Sequence, residues 1–122
     1  MISEITGEQS NLSLQLIRTL RERAMCGSAF IRESRADCET LHVIGEVDIS
    51  NAAELESALV NAALPGEPVN VDLQYCTYLD MGGLAVLLRW KRRLGARLQV
   101  CVLEKSFISR IFHLAGASRL LG

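Results

Sequence analysis

The stretch TYLDMGGLAVLLRWKRR, from Thr77 to Arg93, passes from a β-favouring segment into an amphipathic helix across two consecutive glycines. The β-favouring residues end at Asp80, and apolar residues recur at helical spacing after the glycines. Gly95 predicts the end of this helix, because glycine readily adopts the left-handed conformation found there. Glycine is a poor helix former, so the pair Gly82-Gly83 needs an explanation. The pair could cradle a phosphate, expose a nucleophile, or mark a missing side chain.

Strand and helix patterns alternate on both sides of this stretch. Strands are predicted in SAFIRES, in TLHVIGEVDIS, in the segment that VNVDL opens and Cys76 ends, and in RLQVCVLE. Helices are predicted from Asn51, the cap of an N-x-x-E capping box, and in SFISRIFHLAGASRLL, where Phe107, Ile111 and Leu114 form an apolar side. This order predicts an α/β fold with a mixed, mostly parallel β-sheet and helices packed on it.

An extra N-terminal amphipathic helix is predicted in LSLQLIRTLRERAM. Ser10-Asn11 precede it and Cys26-Gly27 end it, so we divide the chain into a helical extension, residues 1–27, and a domain, residues 28–122. An apolar stripe must cover either its own sheet or a second copy of the chain, and a homodimer through this helix is one of these two arrangements. The stripe comprises Leu16, Ile17, Leu20 and Ala24, with Arg18, Arg21, Glu22 and Arg23 facing elsewhere.

Composition excludes several classes of partner. The 122 residues are 49% hydrophobic and 22% charged, which is typical of one globular domain. A formal net charge of -1 does not favour nucleic acid, and no apolar run of about 18 residues predicts a membrane span. The start of the chain lacks the pattern of a secretory signal, so we expect a cytoplasmic protein.

The sequence predicts no enzyme and no cofactor. Neither G-x-x-x-x-G-K-[ST] nor G-x-G-x-x-G occurs, so the paired glycines are not part of a phosphate-binding or dinucleotide-binding motif. His42 falls within a strand pattern and His113 within the last helix, where histidine is usually structural or exposed rather than a general base. No nucleophile is predicted beside a base, so we expect a non-catalytic protein.

Four cysteines are present without a C-x-x-C spacing, so no metal site is predicted. Reduced thiols are expected in the cytoplasm. Cys76 and Cys101 have apolar neighbours and should be buried, whereas Cys26 and Cys38 lie in loop-like sequence and form the more reactive pair. We expect four free thiols.

Three segments carry a resemblance to a known family: VIGEVDISNAAELESAL, VNVDLQYCTYLDMGGLAVLL and the ending IFHLAGASRLL. The first is similar to an L-x-G-E-L-D segment and its following helix, and the second to v-x-L-D-L-x-x-v-x-x-x-D-S-S-G-L-x-x-L. From Phe30 to the end, about three quarters of the chain, the sequence resembles the STAS domain family. This family comprises bacterial anti-sigma factor antagonists and cytoplasmic domains of sulfate transporters. The resemblance implies a STAS-like version of the predicted α/β fold.

The resemblance also interprets the two glycines. In regulated antagonists of the family, a partner kinase phosphorylates the second serine of D-S-S-G. Here that motif reads Asp80-Met81-Gly82-Gly83, so Gly82 occupies the acceptor position and has no hydroxyl. Met81 cannot substitute for it. The resemblance therefore implies an antagonist that phosphorylation at this position cannot switch off.

By the same resemblance, the expected function is to bind an anti-sigma factor, in some systems a serine kinase, and so release a sigma factor for transcription. The alternative is a scaffold or sensor module in a larger signalling assembly. Asp48, Asn51 and Asp80 also suit simple turn and cap chemistry, and this interpretation stays open. The resemblance places the partner-binding surface on Asp48, Ser50, Asn51, Asp80, Met81, Gly82 and Gly83.

Overall fold

A computed structural model describes residues 28–121, together with Gln15 and Arg18, which are helical and exposed. The apolar stripe of the predicted N-terminal helix lies outside the described residues. Whether that helix packs on its own chain or on a second copy therefore stays a prediction, as does the domain boundary at residue 28.

Strands and helices alternate along residues 28–121 as the sequence predicts, apart from one additional strand. Short 3-10 turns follow the second and third α-helices, at Gly95–Arg97 and Ser118–Leu120. The elements are β1 (Ala29–Ser34), β2 (Glu39–Val47), α1 (Ala52–Ala63), β3 (Val69–Asp72), β4 (Cys76–Leu79), α2 (Met81–Leu94), β5 (Leu98–Cys101) and α3 (Phe107–Leu114).

The long strand β2 organises the sheet. It pairs antiparallel with β1 on one side and parallel with both β3 and β4 on the other, while β5 continues the sheet beyond β3. Its first half pairs with β3, from Glu39 opposite Val69, and its second half pairs with β4, ending with Val47 opposite Leu79. The predicted mixed, mostly parallel sheet is confirmed.

The strand expected to run from VNVDL to Cys76 is in fact two strands, so that expectation was wrong. Asp72 ends β3, and its Oδ1 accepts a hydrogen bond from Gln74 N at 2.9 Å. The turn closes where Cys76 N donates to Leu73 O at 3.1 Å. A short polar side chain that bonds to the backbone two residues later favours a turn, which here outweighs the β propensity of its neighbours.

The helices bury one face each against the sheet, and the buried face of α3 differs from our prediction. Phe107 and Leu114 are 56% and 82% exposed, whereas Ile108 and Phe112 are in the core. The last helix carries two overlapping apolar stripes, and periodicity alone does not decide which of them faces the sheet. The helix begins at the cap Ser106, whose Oγ accepts from Ser109 N at 3.1 Å.

His42 joins three strands through a buried cluster of charges. Its Nδ1 lies 2.8 Å from Asp72 Oδ2 on β3, and its Nε2 lies 3.0 Å from Glu33 Oε1 on β1. Both ring nitrogens must donate to face carboxylate oxygens, which requires the imidazolium form. Burial lowers the pKa of His42, but the bonds to Asp72 and Glu33 outweigh it and raise that pKa. The structural interpretation of His42 is confirmed.

Three described cysteines, Cys38, Cys76 and Cys101, are free thiols. Burial raises the pKa of Cys76 to about 11, so this thiol carries little thiolate. Cys101 is only partly buried, less than we expected. Burial, followed by the neighbouring Asp37, raises the pKa of Cys38, which opposes the reactivity that we expected for this thiol. Cys26 lies outside the described residues, so its reactivity stays a prediction.

Within the described residues, no helix combines the length and the apolar character that crossing a bilayer requires. In the same part of the chain, no three His, Cys, Asp or Glu side chains are grouped so that they could hold a metal ion.

Candidate functional site

The two predicted binding segments meet because β2 and β4 are parallel neighbours. Val47 and Leu79 are paired, and Asp80 N donates to Val47 O at 3.0 Å. The loop after β2, residues 48–51, and the start of α2, residues 80–83, therefore leave the sheet side by side at the carboxyl ends of their strands.

The loop after β2 is a tight turn built around Asp48. Its Oδ1 accepts hydrogen bonds from the Ser50 hydroxyl and from Ser50 N, the latter at 2.9 Å. The bond from the Ser50 hydroxyl, followed by the backbone bond, lowers the pKa of Asp48. Because both residues bond inward to this turn, the side chain between them, Ile49, is directed into solvent and is 88% exposed.

The predicted capping box at Asn51 is absent, although α1 begins at Ala52 as expected. The Asn51 side chain does not cap the helix. Instead, its Oδ1 accepts from Asp48 N at 2.9 Å, and its Nδ2 donates to Glu46 O at 2.9 Å and to Ser28 Oγ at 2.6 Å. The side chain bonds to residues that precede it in the chain, because Asp48, Glu46 and Ser28 together provide it with three hydrogen-bonding partners. Asn51 thus ties the loop to the beginning of β1.

At the start of α2, Asp80 is the helix cap, as its position suggested. Its Oδ1 accepts from Gly83 N at 2.9 Å. Asp48 and Asp80 therefore make turn and cap hydrogen bonds, and both residues are only partly buried.

The two glycines have different structural roles. A Cβ at Gly83 would lie 2.6 Å from Leu79 Cδ1 and 2.8 Å from Val47 Cγ1, which are closer than any ordinary contact. Gly83 is buried and lets the helix start lie directly on the two strands. Gly82 is exposed, and a Cβ there would approach only the Asp80 carboxylate, at 3.2 Å. The packing of α2 on the strands therefore requires Gly83, whereas Gly82 leaves the exposed surface flat.

An exposed apolar surface is the feature that sequence reasoning missed. Met81 is 68% exposed at the start of α2, and Ile49 is 88% exposed in the loop after the neighbouring strand. The Tyr78 ring stacks on Phe107 with centroids 6.4 Å apart. An isoleucine between Asp48 and Ser50 in a turn was the available signal, because it has no strand or helix to pack into. We call the following residues the Ile49–Met81 surface: Asp48, Ile49, Ser50, Asp80, Met81 and Gly82.

The two chain segments that form this surface carry charges of one sign. Segments 45–54 and 75–83 contain four carboxylates and no Lys, Arg or His. The carboxylates are Glu46, Asp48, Glu54 and Asp80. Apolar side chains ringed by charge are typical of a protein-binding site, and the negative sign favours a partner with basic residues at the rim.

The matching family model is described as "Mlab, STAS domain", and it matches residues 31–122. Solved structures share the fold. One is an anti-sigma factor antagonist from Mycobacterium paratuberculosis, 23% identical, with a TM-score of 0.69 over 78% of this chain and 83% of that one.

Two further solved structures are of SpoIIAA. The unphosphorylated form of this anti-sigma factor antagonist is 15% identical, with a TM-score of 0.64 over 77% of this chain and 86% of that one. The phosphorylated form, described as a Bacillus cell fate determinant, is 16% identical, with a TM-score of 0.58 over 77% of this chain and 89% of that one.

Proposed function

Since this chain belongs to the STAS domain family, we propose that it is a non-catalytic binding protein of the anti-sigma factor antagonist type. It captures an anti-sigma factor in the cytoplasm and thereby releases a sigma factor for transcription. The similar folds of antagonists from other bacteria support this proposal.

The observation that carries the proposal is the exposed start of α2. By resemblance to the family motif, Gly82 takes the acceptor position there. A phosphoserine there would add close to two negative charges beside Asp80. Like-charge repulsion and desolvation of the phosphate would then oppose a packed partner. Gly82 offers no oxygen to phosphorylate, so this antagonist stays competent to bind.

The partner contacts the Ile49–Met81 surface and the residues that support it. Ile49 and Met81 are the apolar anchors, because side chains that become fully buried at the centre of an interface contribute most of its affinity. Gly83 supports the surface from beneath by allowing the close approach of α2. The full set consists of Ile49 and the seven predicted residues Asp48, Ser50, Asn51, Asp80, Met81, Gly82 and Gly83.

We expect Ile49→Asp and Met81→Asp each to weaken binding to the anti-sigma factor by about 30-fold, because each loses an anchor worth roughly 2 kcal/mol. Isothermal titration with the purified anti-sigma factor measures this. Leu64→Asp is the matched control, since Leu64 is also exposed but lies just beyond the far end of α1. Unchanged affinity in both anchor variants, or equal loss in the control, would contradict the proposed surface.

Phosphorylation gives a second test. With an anti-sigma kinase and ATP, the wild-type protein is expected to remain unmodified, whereas Gly82→Ser and Met81→Ser/Gly82→Ser become phosphorylated and then lose the partner. A serine fits because the nearest atom to its Cβ would be Asp80 Oδ1 at 3.2 Å, which a small shift of that side chain accommodates. Mass spectrometry locates the phosphate, and Gly82→Ala serves as the control. Stoichiometric phosphate on Ser50 of the wild type would overturn the unregulated interpretation.

The description of the matching family model names Mlab rather than an antagonist, and this favours keeping a second candidate. In that alternative the chain is a scaffold or sensor module of a larger signalling assembly. The two candidate functions are distinguished by mixing the protein with a complex of the anti-sigma factor and its sigma factor. An antagonist liberates the sigma factor, which size-exclusion chromatography detects, and a scaffold does not.

A further inference from the structure

The chain leaves the described domain next to the Ile49–Met81 surface. Because β1 runs antiparallel to β2, the first residues of β1 lie near the last residues of β2, and Ala29 pairs with Ile44. Ser28 Oγ accepts a hydrogen bond of 2.6 Å from Asn51 Nδ2. The extension, residues 1–27, is therefore tethered beside the loop that carries Ile49.

The extension is long enough to cross this surface. Strands β1, β2 and β4 are neighbours, so the start of β1 and the end of β4 are separated by about two strand spacings, roughly 10 Å. A helix that ends at Met25 is joined to Ser28 by three residue steps, which reach about 10 Å when extended. A helix over residues 12–25 would itself be about 20 Å long.

The sequence of the extension complements the surface in polarity and in charge. Its predicted helix has an apolar stripe, which suits Ile49 and Met81. It carries three arginines and one glutamate, Glu22, and this positive excess suits the four carboxylates of the segments that form the surface. Gln15 and Arg18 are helical and exposed, which agrees with a helix whose other face is the apolar one. The arginines are Arg18, Arg21 and Arg23.

We propose that residues 10–25 dock as an amphipathic helix on the Ile49–Met81 surface of the same chain and compete there with the partner. Docking in cis is favoured over docking on a second copy because the tether at Ser28 keeps the helix at high effective concentration. By covering the surface, this helix controls whether the partner can bind. In regulated antagonists of the family, the phosphoserine that is missing here has that role. This regulatory role rests on the proposed function, whereas the docking itself does not.

The full chain, labelled with 13C at its methionine methyl groups, tests the docking without any partner. It contains three methionines, so the Met81 signal is identified by its loss in Met81→Leu. A soluble paramagnetic probe is expected to broaden the Met81 signal several-fold more in Leu20→Asp than in the wild type. Gln15→Asp adds the same charge at an exposed position and should match the wild type.

Equal broadening of Met81 in the wild type and in Leu20→Asp would overturn the proposal. If tenfold dilution abolishes the protection of Met81 from the probe, a second copy of the chain covers the surface. That result would also overturn docking in cis. If Leu20→Asp does not fold, Arg21→Glu is judged by the same criterion, because it leaves the apolar stripe intact.

The regulatory role has its own measurement. If the surface is free in about a tenth of the molecules, Leu20→Asp should bind the anti-sigma factor roughly tenfold more tightly than the wild type. If Met81 becomes accessible to the probe in Leu20→Asp but the affinity for the anti-sigma factor does not change, the docking stands and the regulatory role is rejected. If Met81 becomes accessible to the probe but neither the wild type nor Leu20→Asp binds the anti-sigma factor, the antagonist function is rejected instead.

Discussion

Replacement of His42 by leucine is expected to destabilise the protein by about 3 kcal/mol, because Glu33 and Asp72 then lose the cation between them. Arg35 still bonds Glu33 at 3.2 Å, which keeps the effect at the lower end of the range for a broken buried ion pair. Urea denaturation measures the change. His113→Leu, at an exposed position of α3, is the matched control and should change stability by less than about 0.5 kcal/mol.

The same cluster predicts how stability depends on pH. The pKa of His42 is raised in the folded protein, so the imidazolium stabilises the fold fully below the ordinary histidine pKa of about 6.5. That contribution is lost as the pH rises through the raised pKa, since the folded state then releases its extra proton. The charged groups that face the ring are Glu33 and Asp72, with Arg35 behind Glu33.

Urea midpoints between pH 6 and pH 9 test this dependence by comparing the wild type with His42→Leu. The difference between the two proteins should shrink as the pH rises. Parallel curves would show that His42 does not bind a proton more tightly in the folded state, and they would contradict the assignment of an imidazolium.

Gly83→Val is expected to destabilise the protein by about 2–3 kcal/mol and to lower its melting temperature by about 10 °C. The added carbons overlap Leu79 and Val47, and both neighbours are in the close-packed core. Val47 cannot turn aside, because its branched side chain is restricted at χ1. The change would move the start of α2 away from the strands, so partner binding should weaken as well.

Gly82→Ala is the control for Gly83→Val. It adds a carbon only one residue away, and the nearest atom to this carbon would be the capping oxygen Asp80 Oδ1, at 3.2 Å. A small shift of this carboxylate relieves the contact, and alanine favours the helix. Its stability should equal or slightly exceed that of the wild type in differential scanning calorimetry. Equal destabilisation in both variants would mean that the glycines are needed for backbone conformation rather than for the space at Gly83.

Local signals of the sequence were sufficient for the order of most elements along the chain and for α2. Asp80 caps this helix and Gly95 ends it with a φ of 59°, as the residue types predicted. The break between β3 and β4 was not predictable by the same means. It depends on how the Asp72 side chain divides its bonds between Gln74 and His42, and His42 is distant in sequence.

The candidate site could be located but not described from the sequence. The family resemblance selected loops 48–51 and 80–83, and the structure brings them together because their strands are paired. The burial of Gly83 depends on tertiary packing, which no local pattern encodes. The bonding of Asn51 to Ser28 could not be foreseen either, because it joins residues that β1 and β2 separate.

The pairing of β2 with β4 also determines when the binding surface comes into existence during synthesis. Val47 and Leu79 are 32 positions apart (79 − 47), so the loop that carries Ile49 leaves the ribosome well before the segment that completes the surface. At roughly 5–20 residues per second, these halves are separated by a few seconds of translation. A nascent chain therefore lacks one half of the proposed surface until α2 has emerged and folded.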